Sequence, residues 1–202
     1  MASSLTLLVS FLTITSVAAT PITGRSPQPR ASLEETKRYW ENKGKEHHDD
    51  NKKVFYFDKV FVVKATPDQV RNGTTPAPGE PGAKGLYKLG INKEYNTVCY
   101  NIVLSGVTGE YSSPAVTATH LHEAARGASG PPRLAFQNPQ GPDDKRVSCG
   151  CLTGPFTTGI VNNGVDTGAN FHVSQIIDNP AGFFVDTHTK KYTLGAVRGQ
   201  LE

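Results

Sequence analysis

From Val54 onward this chain is cut into apolar and β-branched runs that follow one another at short intervals. The runs are Val54–Ala65, Gly85–Ile91, Thr97–Leu104, Val116–Glu123, Arg133–Gln137, Phe171–Ile177, Gly182–Thr189 and Thr193–Leu201. Turn-forming residues stand between them, among them Asn163-Gly164 and Gly130-Pro131-Pro132, and the whole chain holds 20 glycines and 14 prolines. Short strands at close spacing with Gly/Pro punctuation predict an all-β fold, an antiparallel β-sandwich or barrel of immunoglobulin-like or superoxide-dismutase-like type. Val54–Ala65 shows little polar alternation, which predicts a strand buried on both faces. Thr66 to Lys84 holds four prolines and reads as loop. No long amphipathic helix is expected after Lys53, and no internal repeat is visible.

The residues ahead of this body have a different texture. Leu5 to Val17 is an apolar stretch diluted by Thr and Ser, and Val17-Ala18-Ala19 supplies small or modest residues at a cleavage site after Ala19. Too short to span a bilayer, this stretch is expected to be a signal peptide over residues 1–19, although Met1 to Ser4 lacks Lys and Arg. Residues 20–53 read as a linker or pro-segment. Within them Ser32-Leu33-Glu34-Glu35 is a capping box that predicts a short helix over residues 32–45, with Leu33, Thr36 and Trp40 on one stripe. His47-His48-Asp49-Asp50 offers metal-ligand chemistry but reads first as a solvated linker. The β domain is expected over residues 54–202.

A formal net charge of +3, spread over scattered Lys and Arg, excludes the basic stripe of a nucleic-acid binder. No membrane span is expected in the mature chain, which should be secreted and extracellular. Three cysteines, Cys99, Cys149 and Cys151, predict one disulfide and one leftover thiol in an oxidising compartment. Cys99–Cys151 is the first pairing and Cys99–Cys149 the second; metal binding by Cys149-Gly150-Cys151 is a further alternative. Asn72-Gly73-Thr74 is an N-glycosylation sequon in a turn-rich loop.

Two segments carry the chemistry. In Thr119-His120-Leu121-His122-Glu123, strand alternation puts His120 and His122 on one face and Leu121 on the other. Two imidazoles rooted roughly 7 Å apart on one face can bind one metal ion together, with copper or zinc the natural choice for nitrogen ligands. In Phe183-Phe184-Val185-Asp186-Thr187-His188-Thr189 the same period puts Asp186 and His188 together. That run leads through Lys190-Lys191-Tyr192 into a hairpin partner in which Gly195 and Gly199 flank Arg198, predicting close backbone packing there. His172 is a third candidate position, read first as a structural residue. No Gly-x-Ser-x-Gly elbow occurs, and Glu123 and Asp186 show no partner that would make them an acid/base pair.

The segments ATHLHEAARGASGPPRLAF and NPAGFFVDTHTKKYTLGAVRGQL together resemble the CHRD (chordin-type) domain, from the His-x-His with its Gly-rich loop to the closing Gly-x-x-Arg-Gly-Gln-Leu. GAKGLYKLGINKEYNTVCYNIVLSGV resembles the strand–turn–strand upstream of the His-x-His, and CGCLTGPFTTG resembles an insertion of fungal secreted members. The resemblance covers Val54 to Leu201. It implies an extracellular module of unassigned molecular activity, acting as a binding or wall-associated protein with a protein, glycan or wall component as partner. Chordin's growth-factor-binding modules are absent from this sequence, so that activity is not implied. His120-Leu121-His122-Glu123 is similar, more weakly, to the copper-binding His-x-His of Cu/Zn superoxide dismutases. That second likeness implies copper, or alternatively zinc, held by His120, His122 and His188, with His172 as a fourth ligand. Arg198 would attract a small anion. It also implies copper-dependent redox chemistry of superoxide-dismutase type, if the domain is an enzyme at all, but without the zinc-binding loop of those enzymes.

Overall fold

The computed structural model of the protein describes residues 56–202. The expected signal peptide, the linker with its helix over residues 32–45, the His47–Asp50 group and the start of the Val54 run lie outside the described residues.

Alternation of apolar and polar residues builds two four-stranded antiparallel sheets. The first has the order β1-β4-β5-β8, from Lys59–Ala65, Lys84–Asn92, Thr97–Ser105 and Arg146–Thr153. The second has the order β12-β11-β6-β7, from Val197–Gln200, Phe183–Thr187, Thr119–Glu123 and Pro132–Phe136. Two small hairpins decorate them, β2 with β3 (Arg71–Asn72, Thr75–Pro76) and β9 with β10 (Val161–Asn162, Val165–Asp166). The second of these turns on Asn163-Gly164, both at positive φ, as a tight two-residue hairpin requires. Among the described residues the single α-helix is α1, Ser174–Asp178.

The sheets enclose one core. Tyr87, Leu89, Ile91, Val98, Ile102 and Leu104 come from the first sheet, and Leu121, Leu134, Phe136, Phe183, Val185 and Val197 from the second. Leu121 is wholly buried, pointing to the core between neighbours that point the other way, and burying such a side chain stabilises by about 2 kcal/mol. Along one edge the sheets are tied together: Thr66, just past β1, exchanges backbone hydrogen bonds of 2.8 and 3.1 Å with Arg198 of β12. That approach needs Gly199, where a Cβ would lie 2.6 Å from the Lys64 carbonyl oxygen. The close packing expected around Arg198 is therefore real, and it closes the sandwich at the end of the chain.

Three strand expectations are corrected. Val54–Ala65 is not buried on both faces: β1 is an edge strand whose Val60 and Val62 are exposed. Their β-branching serves the extended backbone rather than a core. Phe171–Ile177 is no strand, because Val173 and Ile176 bury at helical spacing around α1. Arg146–Thr153, absent from the expected strands, is β8, which the Cys-Gly-Cys sequence disguised. Cys99 and Cys151 face each other directly across β5 and β8 and form the disulfide, which settles the pairing and leaves Cys149 as a free, exposed thiol. Asn72 sits exposed in β2, beside the Gly73 turn.

Candidate metal centre

β6 runs between β7 and β11 in the second sheet. Its alternation sends Leu121 into the core and His120 and His122 to the opposite face. Across the β6–β11 ladder, His120 pairs with Asp186 and His122 with Phe184. Across β11–β12, Asp186 pairs with Arg198 and Phe184 with Gln200. His188 stands one residue beyond β11, on the face of Asp186, and its backbone N–H continues the ladder by donating to the Ala118 carbonyl at 2.8 Å. The period of two thus gathers the three imidazoles around the carboxylate of Asp186, which is the centre of the cluster.

The distances are short. His188 Nε2 lies 3.0 Å from Asp186 Oδ2, while His122 Nε2 and His120 Nδ1 lie 3.2 and 3.5 Å from Oδ1. One ligand atom from each of the four residues falls within 4.8 Å of all the others. The group is nearly closed to solvent: His120 is 1% and Asp186 3% exposed.

The far side of each ring fixes its protons. His120 Nε2 donates to the Thr117 carbonyl at 2.7 Å, His122 Nδ1 to the Gly130 carbonyl at 2.9 Å, and His188 Nδ1 to the Thr193 carbonyl at 2.9 Å. A carbonyl oxygen only accepts, so each of these nitrogens carries hydrogen. In the neutral rings the remaining nitrogens are bare lone pairs, and all three point at a carboxylate that also only accepts. His120 Nδ1, His122 Nε2 and Asp186 Oδ1 are buried without any hydrogen-bond partner. Buried, unpaired polar atoms cost about 1–3 kcal/mol each, so a positive charge must sit among these acceptors, as protons or as a metal ion. Metal-bound histidines characteristically give their second ring N–H to a backbone carbonyl or carboxylate, which is the pattern of all three rings here.

The metal-free electrostatics agree with a site built for positive charge. Burial alone would raise the Asp186 carboxyl, but the charges of His122 and His188 beside it hold it well below the usual carboxylate range. Burial alone would lower His188, yet the Asp186 carboxylate and the Thr193 carbonyl keep it raised.

The walls of the site come from loops whose roles were hidden in the sequence. The Phe184 ring stacks on His122 at 4.8 Å, nearly parallel, and the Arg198 guanidinium lies 3.5 Å from the Phe184 centroid. Residues 124–131 fold back over this face. They are pinned where Arg198 donates to the Ala128 carbonyl, Gln200 to the Ala124 carbonyl, and His122 to that of Gly130. Burial, against the pull of Asp186 and with help from Arg71 and Arg126, lowers the Arg198 pKa to about 10. Arg198 therefore stands as a pin for the loop, 4% exposed, rather than as a free head group awaiting an anion. His172 stays outside the cluster, exposed ahead of α1 with its Nδ1 against the Ser174 hydroxyl at 2.9 Å. Asp186 occupies the place expected of it. Glu123 is paired with Arg133 at 2.7 Å.

Among the described residues, no helix is long and apolar enough to cross a membrane. No curated protein and no solved structure matches the chain. The family model of the CHRD domain matches residues 61–201, a span that takes in both sheets and all four residues of the cluster. The chain belongs to the CHRD domain family.

Proposed function

We propose that this CHRD domain is a secreted metal-binding module that holds one divalent transition-metal ion between His120, His122, His188 and Asp186. The observation that carries the reading is the convergence of three ring nitrogens and a carboxylate in a buried space where His120 Nδ1, His122 Nε2 and Asp186 Oδ1 have no hydrogen-bond partner. Three imidazoles and one carboxylate form an N3O set that suits zinc in tetrahedral geometry, with ligands at about 2.0–2.2 Å. Copper(II) takes the same donors and outcompetes zinc at equal availability. Four protein ligands fill a tetrahedral shell and leave no open position, so the ion's first role is to bind β6 to the β11–β12 hairpin. Superoxide-type redox chemistry would need Asp186 to swing away. Secretion is supported by the Leu5–Val17 stretch with its Ala19 site and by the Cys99–Cys151 disulfide.

The test is elemental analysis of the untagged protein after loading with zinc or copper(II) and removal of excess ion. Wild type should retain about one equivalent, and His120→Ala and Asp186→Ala should each lower affinity by about 100-fold or more. Stoichiometry well below one in both loadings, or equal retention by the variants, overturns the proposal.

A further inference from the structure

The far side of the molecule holds a second chemical cluster that the metal reading does not use. Cys99 and Cys151 pair directly across β5 and β8, and Cys149 lies two residues from Cys151, opposite Asn101. Strand alternation therefore puts all three sulfurs on one face, the outer face of the first sheet. That face is open: Cys149 and Cys151 are both exposed. An unpaired thiol stands one cross-strand step from an exposed disulfide.

Exchange between them needs a thiolate, access to a disulfide sulfur, and backbone freedom to bring the atoms together. Diagonal neighbours in an antiparallel pair sit about 7–8 Å apart at Cα, with Cβ atoms somewhat closer, whereas a disulfide holds its Cβ atoms at about 3.8 Å. A shift of a few ångström is therefore required. β8 is the strand placed to make it. It is the end strand of its sheet, and its free side carries one backbone bridge, Gln140 to Val147, two residues before Cys149. Gly150 between the cysteines has the least restricted backbone of any residue. On the opposite face an added Cβ at Gly150 would lie 3.0 Å from the Tyr100 hydroxyl, so glycine is also the residue that lets the strand pack.

We propose that Cys99, Cys149 and Cys151 form an internal thiol–disulfide exchange site. The Cys149 thiolate attacks Cys99 Sγ, the Cys99–Cys149 bond forms as the Cys99–Cys151 bond breaks, and Cys151 leaves as the thiolate. Sulfur oxidation states balance, and no outside oxidant or reductant enters. The free thiol thereby moves between two positions on an edge strand, while Cys99 stays bonded throughout.

Alkylation of the native, full-length protein tests this. At pH 8, with iodoacetamide added slowly and no reductant, the label should divide between Cys149 and Cys151 in tandem mass spectra, with Cys99 unlabelled. A brief maleimide pulse at pH 5, where exchange is slow, should mark mainly Cys149. In Cys149→Ser, Cys151 should stay unlabelled at pH 8. Label confined to Cys149 after prolonged pH 8 incubation overturns the proposal, and so does labelling of Cys151 in Cys149→Ser, which would mean opening without exchange.

Discussion

The outer faces of the two sheets arise from the same alternation and have opposite fates. On the first sheet, β1 shows its outer residues to solvent, Val60 and Val62 included. On the second, β11 and β12 are buried on both faces, and the outer face of the sheet carries Asp186, Arg198 and Gln200 from them and His120 from β6. Solvent excuses the first face from needing partners. Loops cover the second, so every polar group on it must find one. Arg198 and Gln200 do, through the carbonyls of residues 124–131 and Ala181. His120 and Asp186 do so only in part. A covered polar face with an incomplete set of partners distinguishes a site from ordinary sandwich surface.

The largest effect that would sharpen this contrast is on stability. Leu121→Ala, beneath the histidines, should cost about 2–5 kcal/mol in denaturant unfolding, while Val62→Ala on the open face should stay within about 0.5 kcal/mol. Comparable losses at the two positions would break the distinction between the faces. Next in size is metal loading: at free ion about 100 times the Kd, the loaded domain should gain about 2.7 kcal/mol over the metal-free one. Loss of that gain in His188→Ala, each form measured against its own metal-free stability, would tie it to the cluster.

The pH dependence should differ in sign between the two forms. In the metal-free protein the raised His188 contributes stability that is full below its ordinary value of about 6.5 and is lost as pH rises through its folded pKa. The depressed Asp186 contributes stability present above about 4 and lost as pH falls through its folded pKa. On the alkaline side the metal-free domain should therefore weaken, whereas the loaded domain should strengthen as the imidazoles lose their competing protons. Parallel curves for the two forms would count against metal binding. The smallest predicted effect is at the wall: Phe184→Leu removes the ring stacked on His122 and should lower metal affinity by about 10-fold, as outer-sphere changes do.

Much of this was legible in the sequence, and for a physical reason. A period of two needs no tertiary information, so the shared face of His120 and His122, and that of Asp186 and His188, could be read directly. Register could not. That Asp186 lies opposite His120 depends on how β11 aligns with β6, and nothing local sets that alignment. The carbonyls of Thr117, Gly130 and Thr193 were invisible too, because backbone acceptors in loops leave no side-chain signature. In the fold, Val173 and Ile176 misled because β-branched residues read as strand even when a short helix buries them. Val60 and Val62 misled in the other direction, as strand formers that never reach a core.

X-ray absorption at the zinc or copper edge of the loaded, untagged domain reads the ligands of the proposed ion itself. Three imidazole nitrogens and one oxygen are expected at about 2.0–2.2 Å, with no sulfur, and one imidazole should be lost in His188→Ala. A first shell containing sulfur near 2.3 Å, or one of water oxygens without imidazole, would place the ion elsewhere and contradict it.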